Sequence, residues 1–372
     1  MDRRSRAALW AALVGCSVLT AALFALRPAG WFISWSFVVH GVRALFSAHG
    51  LDLYGRHPDL QMGPLTFLLS GPVVLLVPTA LRRIVAIALM LACGLAIVQQ
   101  LGTFVPIGDR RGHRRWFLAG LAVLAAWSEL AVRYAHVDDV LALLGVVLGL
   151  GLLRRAHPLW AAVALGLAVD AKPVVLPFVA LLALAEPGRR LPALALAAAV
   201  VLVAWAPFAL LGTGSIRALE FRIRIEGAST LRLLGLRHGT PPWCRPAQLL
   251  GGAAAVLLLI RRGRWQAAVL VVVVLRLLLD PAVKPYYDAG LVLGAMLFDL
   301  AATLPVATVL AVAGVALPSL LMADDPPLRA VLRAVVLLAL LVLGMVVPQR
   351  SDPHRPVVQP SSAPAIATRA SG

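Results

Sequence analysis

Apolar runs close to the ~20 residues that a helix needs to cross a bilayer recur along this whole chain. They fall at 8–26, 65–81, 84–105, 116–132, 140–153, 158–169, 174–185, 191–212, 247–260, 265–279, 289–304, 306–322 and 328–347. Hydrocarbon offers no water to backbone amides, so segments of this length are expected to close their hydrogen bonds internally as helices. Composition agrees: 61% of residues are hydrophobic, only 14% are charged and mean hydropathy is +0.90, whereas a soluble domain carries about 25% charged residues. The expected fold is all-α, a polytopic integral membrane bundle of roughly 11–13 transmembrane helices. One domain covers residues 1–347, and no soluble domain fits between the runs. The basic start MDRRSR, with no small-residue cleavage site and more apolar sequence behind it, reads as an uncleaved anchor.

A formal charge of +17, from 34 basic and 17 acidic residues, would suggest nucleic acid in a soluble protein. Here it marks topology, and nucleic acid is not an expected partner. Arg3, Arg4 and Arg6, then Arg110, Arg111, Arg114 and Arg115, then Arg154 and Arg155, Arg189 and Arg190, and Arg261, Arg262 and Arg264 occupy short breaks between runs. The positive-inside rule makes these breaks cytoplasmic. The alternate segments then face outward: 27–64, YAHVDD at 134–139, VDAKP at 169–173, 213–246 and DPAVKPYYD at 280–288. This parity allows residues 61–105 one net crossing although they hold two apolar runs. Gly71-Pro72 and Pro78 therefore predict a broken or re-entrant first run, which leaves Arg82 and Arg83 less cytoplasmic than they look. The Pro-, Ser-, Ala- and Arg-rich stretch 348–372 reads as a disordered cytoplasmic tail. Cys16, Cys93 and Cys244 offer no disulfide framework. No Walker A sequence and no strand-linked G-x-G-x-x-G is present.

Most carboxylates fall on the outward side: Asp52, Asp59, Asp138, Asp139, Asp170, Glu220, Glu226, Asp280, Asp288, Asp324 and Asp325. Acids at a membrane boundary are costly to desolvate, which makes them functional candidates. Asp324 and Asp325, beside Pro326-Pro327, read as a solvated turn. In the first outward segment, WSFVVHGVRALFSAHG at 35–50 fits an interfacial helix with Val38, Val42 and Leu45 toward lipid. Asp138 and Asp139 sit where a helix starting at Val137 would use them as caps, or where, with His136, they would bind a sugar hydroxyl or a metal. No second ligand group accompanies them, so no metal is assigned and a divalent ion stays open. Lys172, between apolar stretches and next to Pro173 and Pro177, either snorkels to the interface or presents a cation at the end of a broken helix. Arg217, Arg222, Arg224, Arg232, Arg237 and Arg245 run against the positive-inside rule and call for an anionic partner, a lipid headgroup or a substrate phosphate. Lys284, Tyr286 and Tyr287 form either an aromatic belt or a sugar-contacting set. Glu129 and Arg133 read as an intrahelical pair.

Four motifs, HPDLQMGPL at 57–65, YAHVDDVLAL at 134–143, ALGLAVDAKP at 164–173 and DPAVKPYYDAGLVLGAMLFDL at 280–300, carry a resemblance in their order and spacing. The chain resembles the GT-C superfamily of polyprenyl-phosphate-sugar-dependent glycosyltransferases. Within it, the chain is most similar to the actinobacterial α-mannosyltransferases of glycosyltransferase family 87, formerly a domain of unknown function. The resemblance spans about 40–300, and each motif alone is weakly specific.

What it implies is inverting sugar transfer at the extracytoplasmic face of the plasma membrane, from a polyprenyl-phosphate donor to a lipid or glycan acceptor, with no cofactor. Mannose is the implied sugar, with arabinose or another polyprenyl-linked sugar open. An aspartate of the first outward loop would be the general base: Asp59, beside Gln61 in the HPDLQMGPL match, with Asp52 second. His136, Asp138 and Asp139 would hold sugar; Lys172, Arg222 and Arg224 would meet phosphate; Lys284, Tyr286 and Tyr287 would line the site. The chain departs from the pattern where an acid is expected soon after the first span and ISW stands at 33–35. Two other classes remain open, a secondary transporter or lipid-linked sugar flippase, and a catalytically inactive relative.

Overall fold

The computed structural model describes residues 3–26, 32–105, 109–212, 214, 218, 221–322 and 324–349. Among them the chain is helical with no strand, apart from isolated bridges between Arg224 and Gly239 and between Ala302 and Gln349. The principal helices are α1 (Arg3–Ala25), α2 (Trp35–Leu45), α3 (Pro64–Leu76), α4 (Thr79–Gly102) and α5 (Arg110–Ser128). Then come α6 (Val137–Arg154), α7 (Pro158–Ala171), a 3₁₀ helix (Pro173–Leu184), α8 (Pro187–Leu211) and α9 (Cys244–Arg261). The chain closes with α10 (Ala268–Leu278), α11 (Asp288–Ala301), α12 (Ala307–Leu321) and α13 (Pro326–Val346). Among the described residues, six helices are long and apolar enough to cross a membrane. Large apolar side chains point outward from the long ones: Leu202, Val203, Leu210 and Leu211 on α8 are all at least 65% exposed.

The interior helices are the short ones. Residues Asp288 to Asp299 of α11 are all buried, and most of α10 is too. A helix apolar on every side belongs in the middle of a bundle. Small residues set how closely it packs: a Cβ on Gly294 would collide with the Leu270 backbone of α10. Gly145 and Gly149, one turn apart on α6, likewise admit Ala164, Leu165 and Ala168 of α7. Without a hydrophobic force between helices in lipid, such small-residue seams are what lets backbones approach.

Helix direction then sorts the charges. The α6–α7 hairpin turns through 155–157, so the start of α6 and the end of α7 share one end of the bundle. The end of α10 and the start of α11 join them there. The basic breaks at 110–115, 154–155, 189–190 and 261–264 come at the other end.

Three expectations change. Gly71-Pro72 does not interrupt α3, which runs through Pro72; the break comes at Val77-Pro78. Pro72 removes one donor, and the helix carries on around it. The Arg83 guanidinium lies 6.0 Å over the Phe32 ring at the site end, while Arg154 donates to the Thr103 carbonyl at the other, so α4 runs from one end of the bundle to the other. Second, Val38 and Val42 do not face lipid; both are fully buried, because Gly41 lets α2 lie against Phe67 of α3. Third, Asp325 is more than a solvated turn residue, since it caps α13 by accepting from the Leu328 amide. The disordered tail expected from 348 lies, from 350 on, outside the described residues; the Pro348 carbonyl accepts from Thr303. Arg217 and Glu220 also lie outside them.

Candidate functional site

The site starts from a strained turn. After α5 the chain widens into a π-helical turn, Glu129–Tyr134, braced by the expected Glu129–Arg133 pair at 2.8 Å. The carbonyls that this turn frees at Val132, Arg133 and Tyr134 accept from the amides of Phe32, Ile33 and Ser34, at 2.9, 3.0 and 2.8 Å. Ala135 then adopts left-handed geometry, φ 53° and ψ 46°. That conformation costs an L-residue about 1 kcal/mol and is held only where its surroundings demand it. It reverses the chain and delivers His136 and the first turn of α6 to the bundle end.

Asp138 and Asp139 are not caps. No backbone amide is bonded by their side chains, and both carboxylates face charge instead. His136 Nδ1 lies 2.7 Å from Asp138 Oδ1 and 3.1 Å from Asp139 Oδ2. The Lys172 ammonium lies 3.1 Å from Asp138 Oδ2 and bonds Asp139 Oδ2 directly. Lys172 arrives there because α7 ends at Ala171: its own backbone is extended, φ −148° and ψ 103°, and Pro173 and Pro177 carry the chain on as a 3₁₀ helix. Lys172 is thus the cation at a helix break rather than a snorkelling side chain, being 8% exposed. Several kcal/mol per buried ion must be recovered through such pairing.

Arg276, from the last turn of α10, extends the network. Its guanidinium approaches Asp139 at 3.7 Å and Asp280 at 3.6 Å, and sits 4.5 Å from the centre of the Tyr287 ring. Tyr286 stacks on His136 with ring centres 3.9 Å apart, and Tyr134 and Tyr287 flank it at 4.9 and 4.6 Å. Lys172 Nζ lies 6.0 and 5.9 Å from the centres of the two tyrosine rings. Burial disfavours the charge on His136, but the Asp138 and Asp139 carboxylates together outweigh it and raise the imidazole pKa. Burial raises the Asp280 carboxyl, with Arg276 partly offsetting it. Asp139, Arg276, Tyr286 and Tyr287 border a cavity of about 20 Å³ whose other wall is apolar, with Val175 and Phe178 of the 3₁₀ helix and Val273 of α10. That is room for one water.

His136, Asp138 and Asp139 offer ligand atoms within 4.8 Å of one another, a spacing that could hold a cation. The Lys172 ammonium already pairs with both carboxylates, so a metal would have to displace it.

Other expected residues lie nearby without joining the cluster. Asp59 is exposed, and Asp52 is half-buried at the end of a short 3₁₀ turn, Gly50–Asp52. Their loop is nevertheless fastened to the site end. The Gly63 amide donates to the Ala171 carbonyl at 2.9 Å, one residue from Lys172, and Gln61 accepts from Arg245 at 2.9 Å. A side chain at Gly63 would collide with the Asp170 carbonyl, so glycine alone permits this approach. Lys284 pairs with Glu226, away from Lys172. Arg222 is exposed, and Arg224 borders a separate hollow. Arg276 was missed in the sequence, although an arginine inside the run VVVVLRLLLD, one turn before Asp280, is a recognisable signal. Asp170, one of the outward acids but given no role of its own, is buried with one carboxylate oxygen unpartnered.

Compared with known proteins, the chain matches no family model, no curated protein and no solved structure.

Proposed function

We propose that the protein is an integral membrane glycosyltransferase of GT-C type, with 11–13 spans as read from the sequence. It moves a sugar, mannose by resemblance, from polyprenyl phosphate to a lipid or glycan acceptor at the extracytoplasmic face of the plasma membrane. One observation supports this most: three motifs far apart in sequence, at 134–139, 170–173 and 280–288, meet as one cluster of acids, cations and tyrosines, opposite the basic breaks. A donor whose reactive bond lies at headgroup depth needs this kind of site at a bundle end.

In the proposed step Asp59, or Asp52 in second place, takes the proton of the acceptor hydroxyl as that oxygen attacks the anomeric carbon. The bond from that carbon to the phosphate oxygen breaks, its electron pair leaves with the phosphate, and configuration inverts. Lys172 and Arg276 stabilise the departing charge, with Arg222 and Arg224 assisting farther out. Asp138, Asp139 and His136 receive sugar hydroxyls, with Gln61, Lys284, Tyr286 and Tyr287 bordering them. The resting cluster is closed to a sugar, so binding requires Lys172 to exchange a carboxylate for the donor phosphate. Asp59→Asn is expected to abolish transfer of labelled sugar from polyprenyl phosphate in membranes while the protein still purifies with an unchanged melting temperature. Full activity in that variant removes Asp59 from the role.

The break at Lys172 also suits a transporter, since discontinuous helices frame many transport sites. Substrate counterflow across vesicles without sugar transfer decides for that reading. Neither activity points to the inactive relative.

A further inference from the structure

The chain that returns from α8 to α9 holds a second charged feature, a hollow of about 320 Å³ bordered by Arg224, Ile225, Glu226, Gly227, Arg232 and Arg237. Its single acid is already engaged. Glu226 pairs with Lys284 and also accepts from the Val283 amide at 2.8 Å. The three arginines therefore border the hollow with no second carboxylate among the described residues that line it, and all three are exposed. Like charges gathered around one space repel unless an anion joins them. Guanidinium forks match the paired oxygens of a phosphate, and the volume suits a headgroup rather than a simple ion.

We infer that Arg224, Arg232 and Arg237 form a binding site for a phosphate-bearing group, a lipid headgroup or a soluble phosphate ester, distinct from the Lys172 cluster. The walls are fixed to that cluster's own segment. The Glu226 amide donates to the Pro281 carbonyl at 2.9 Å and Ser229 Oγ donates to the Asp280 carbonyl at 2.7 Å. The strand of chain so held, 280–284, leads into Tyr286 and Tyr287. The hollow is also large enough where the cluster cavity is not, which makes it the place for an anionic group to rest while the cluster is closed. The inference deepens the proposed outward-facing reading in naming a phosphate subsite for it. It does not require sugar transfer, because binding is read without donor.

The full chain is reconstituted in phosphatidylcholine nanodiscs containing a minor share of phosphatidylinositol, and retained lipid is read by native mass spectrometry with pyrophosphate as competitor. Retention of phosphatidylinositol over phosphatidylcholine that pyrophosphate displaces assigns the site to a membrane headgroup. Pyrophosphate binding by calorimetry without selective lipid retention assigns it to a soluble phosphate ester. In either case R224Q/R232Q/R237Q is expected to weaken binding about tenfold, and R189Q/R190Q, basic residues of the opposite end, to leave it within about twofold. Should the triple variant fail to fold, R237Q alone is expected to show about a threefold loss. Binding unchanged in the arginine variants, or retention that does not distinguish phosphatidylinositol from phosphatidylcholine together with no pyrophosphate binding, overturns the inference. No sugar transfer by the unmodified protein, with phosphate binding intact, would count against the proposed enzyme and leave this site standing.

Discussion

The Lys172 cluster and the arginine-lined hollow use the same chemistry at the same end of the bundle, and they differ in what neutralises them. Around Lys172 each cation has a carboxylate: Asp138 and Asp139 for the lysine, Asp139 and Asp280 for Arg276. Among the described residues around the hollow, three arginines share one glutamate that Lys284 already holds. Burial explains the difference. Helices α6, α7, α10 and α11 exclude water from the first group, so an unpaired charge there would cost several kcal/mol. The second group is exposed, where water and salt carry that cost. A paired site must be opened to work, whereas an unpaired one is ready to receive.

The sharpest way to break the contrast is Lys172→Met, which leaves Asp138 and Asp139 facing each other in a dry place. Expected is a loss of about 3–5 kcal/mol in stability, read as a lower melting temperature in detergent, together with loss of transfer. A melting temperature within a degree of the parent would mean that the cluster is wet. Arg276→Gln is expected to cost less, about 1–3 kcal/mol, because Lys172 still holds Asp139 while the neutral amide can bond Asp280. A double-mutant cycle with Asp280→Asn would then show coupling.

His136 supplies a pH test of the same region. Its pKa is raised in the folded chain, above the ordinary value of about 6.5. The stability it contributes is therefore complete below about pH 6.5 and lost as pH rises through the folded value. Melting temperature should fall across that window in the parent, and His136→Gln should flatten the slope. The smallest effect belongs to the hollow: R224Q/R232Q/R237Q should move stability by no more than about 0.5 kcal/mol in either direction. A large destabilisation there would show that the arginines hold the loop rather than await an anion.

Much of the fold was readable because lipid-length apolar runs and proline breaks act locally. Val137 as a helix start, the break at Lys172 and the Glu129–Arg133 pair all follow from residues within a turn or two of each other. Gly71-Pro72 misled because a proline inside a helix removes one bond without deciding whether the rest survive. Val38 and Val42 misled for a different reason. An amphipathic stripe shows that one face avoids water, but lipid and a neighbouring helix satisfy it equally, and Phe67 settles which it is only in three dimensions.

The site divides in the same way. Sequence alone marked His136, Asp138, Asp139, Lys172, Tyr286 and Tyr287 as costly residues at helix ends, because a charge beside an apolar run is conspicuous wherever it lies. It could not tell which of them touch. That was decided by the glycine seams at Gly145, Gly149 and Gly294, which bring helix axes close enough for one ammonium to bridge two carboxylates and which drew Arg276 in from a run that looked merely apolar. Local chemistry fixes what a residue costs to bury; only packing decides who shares that cost.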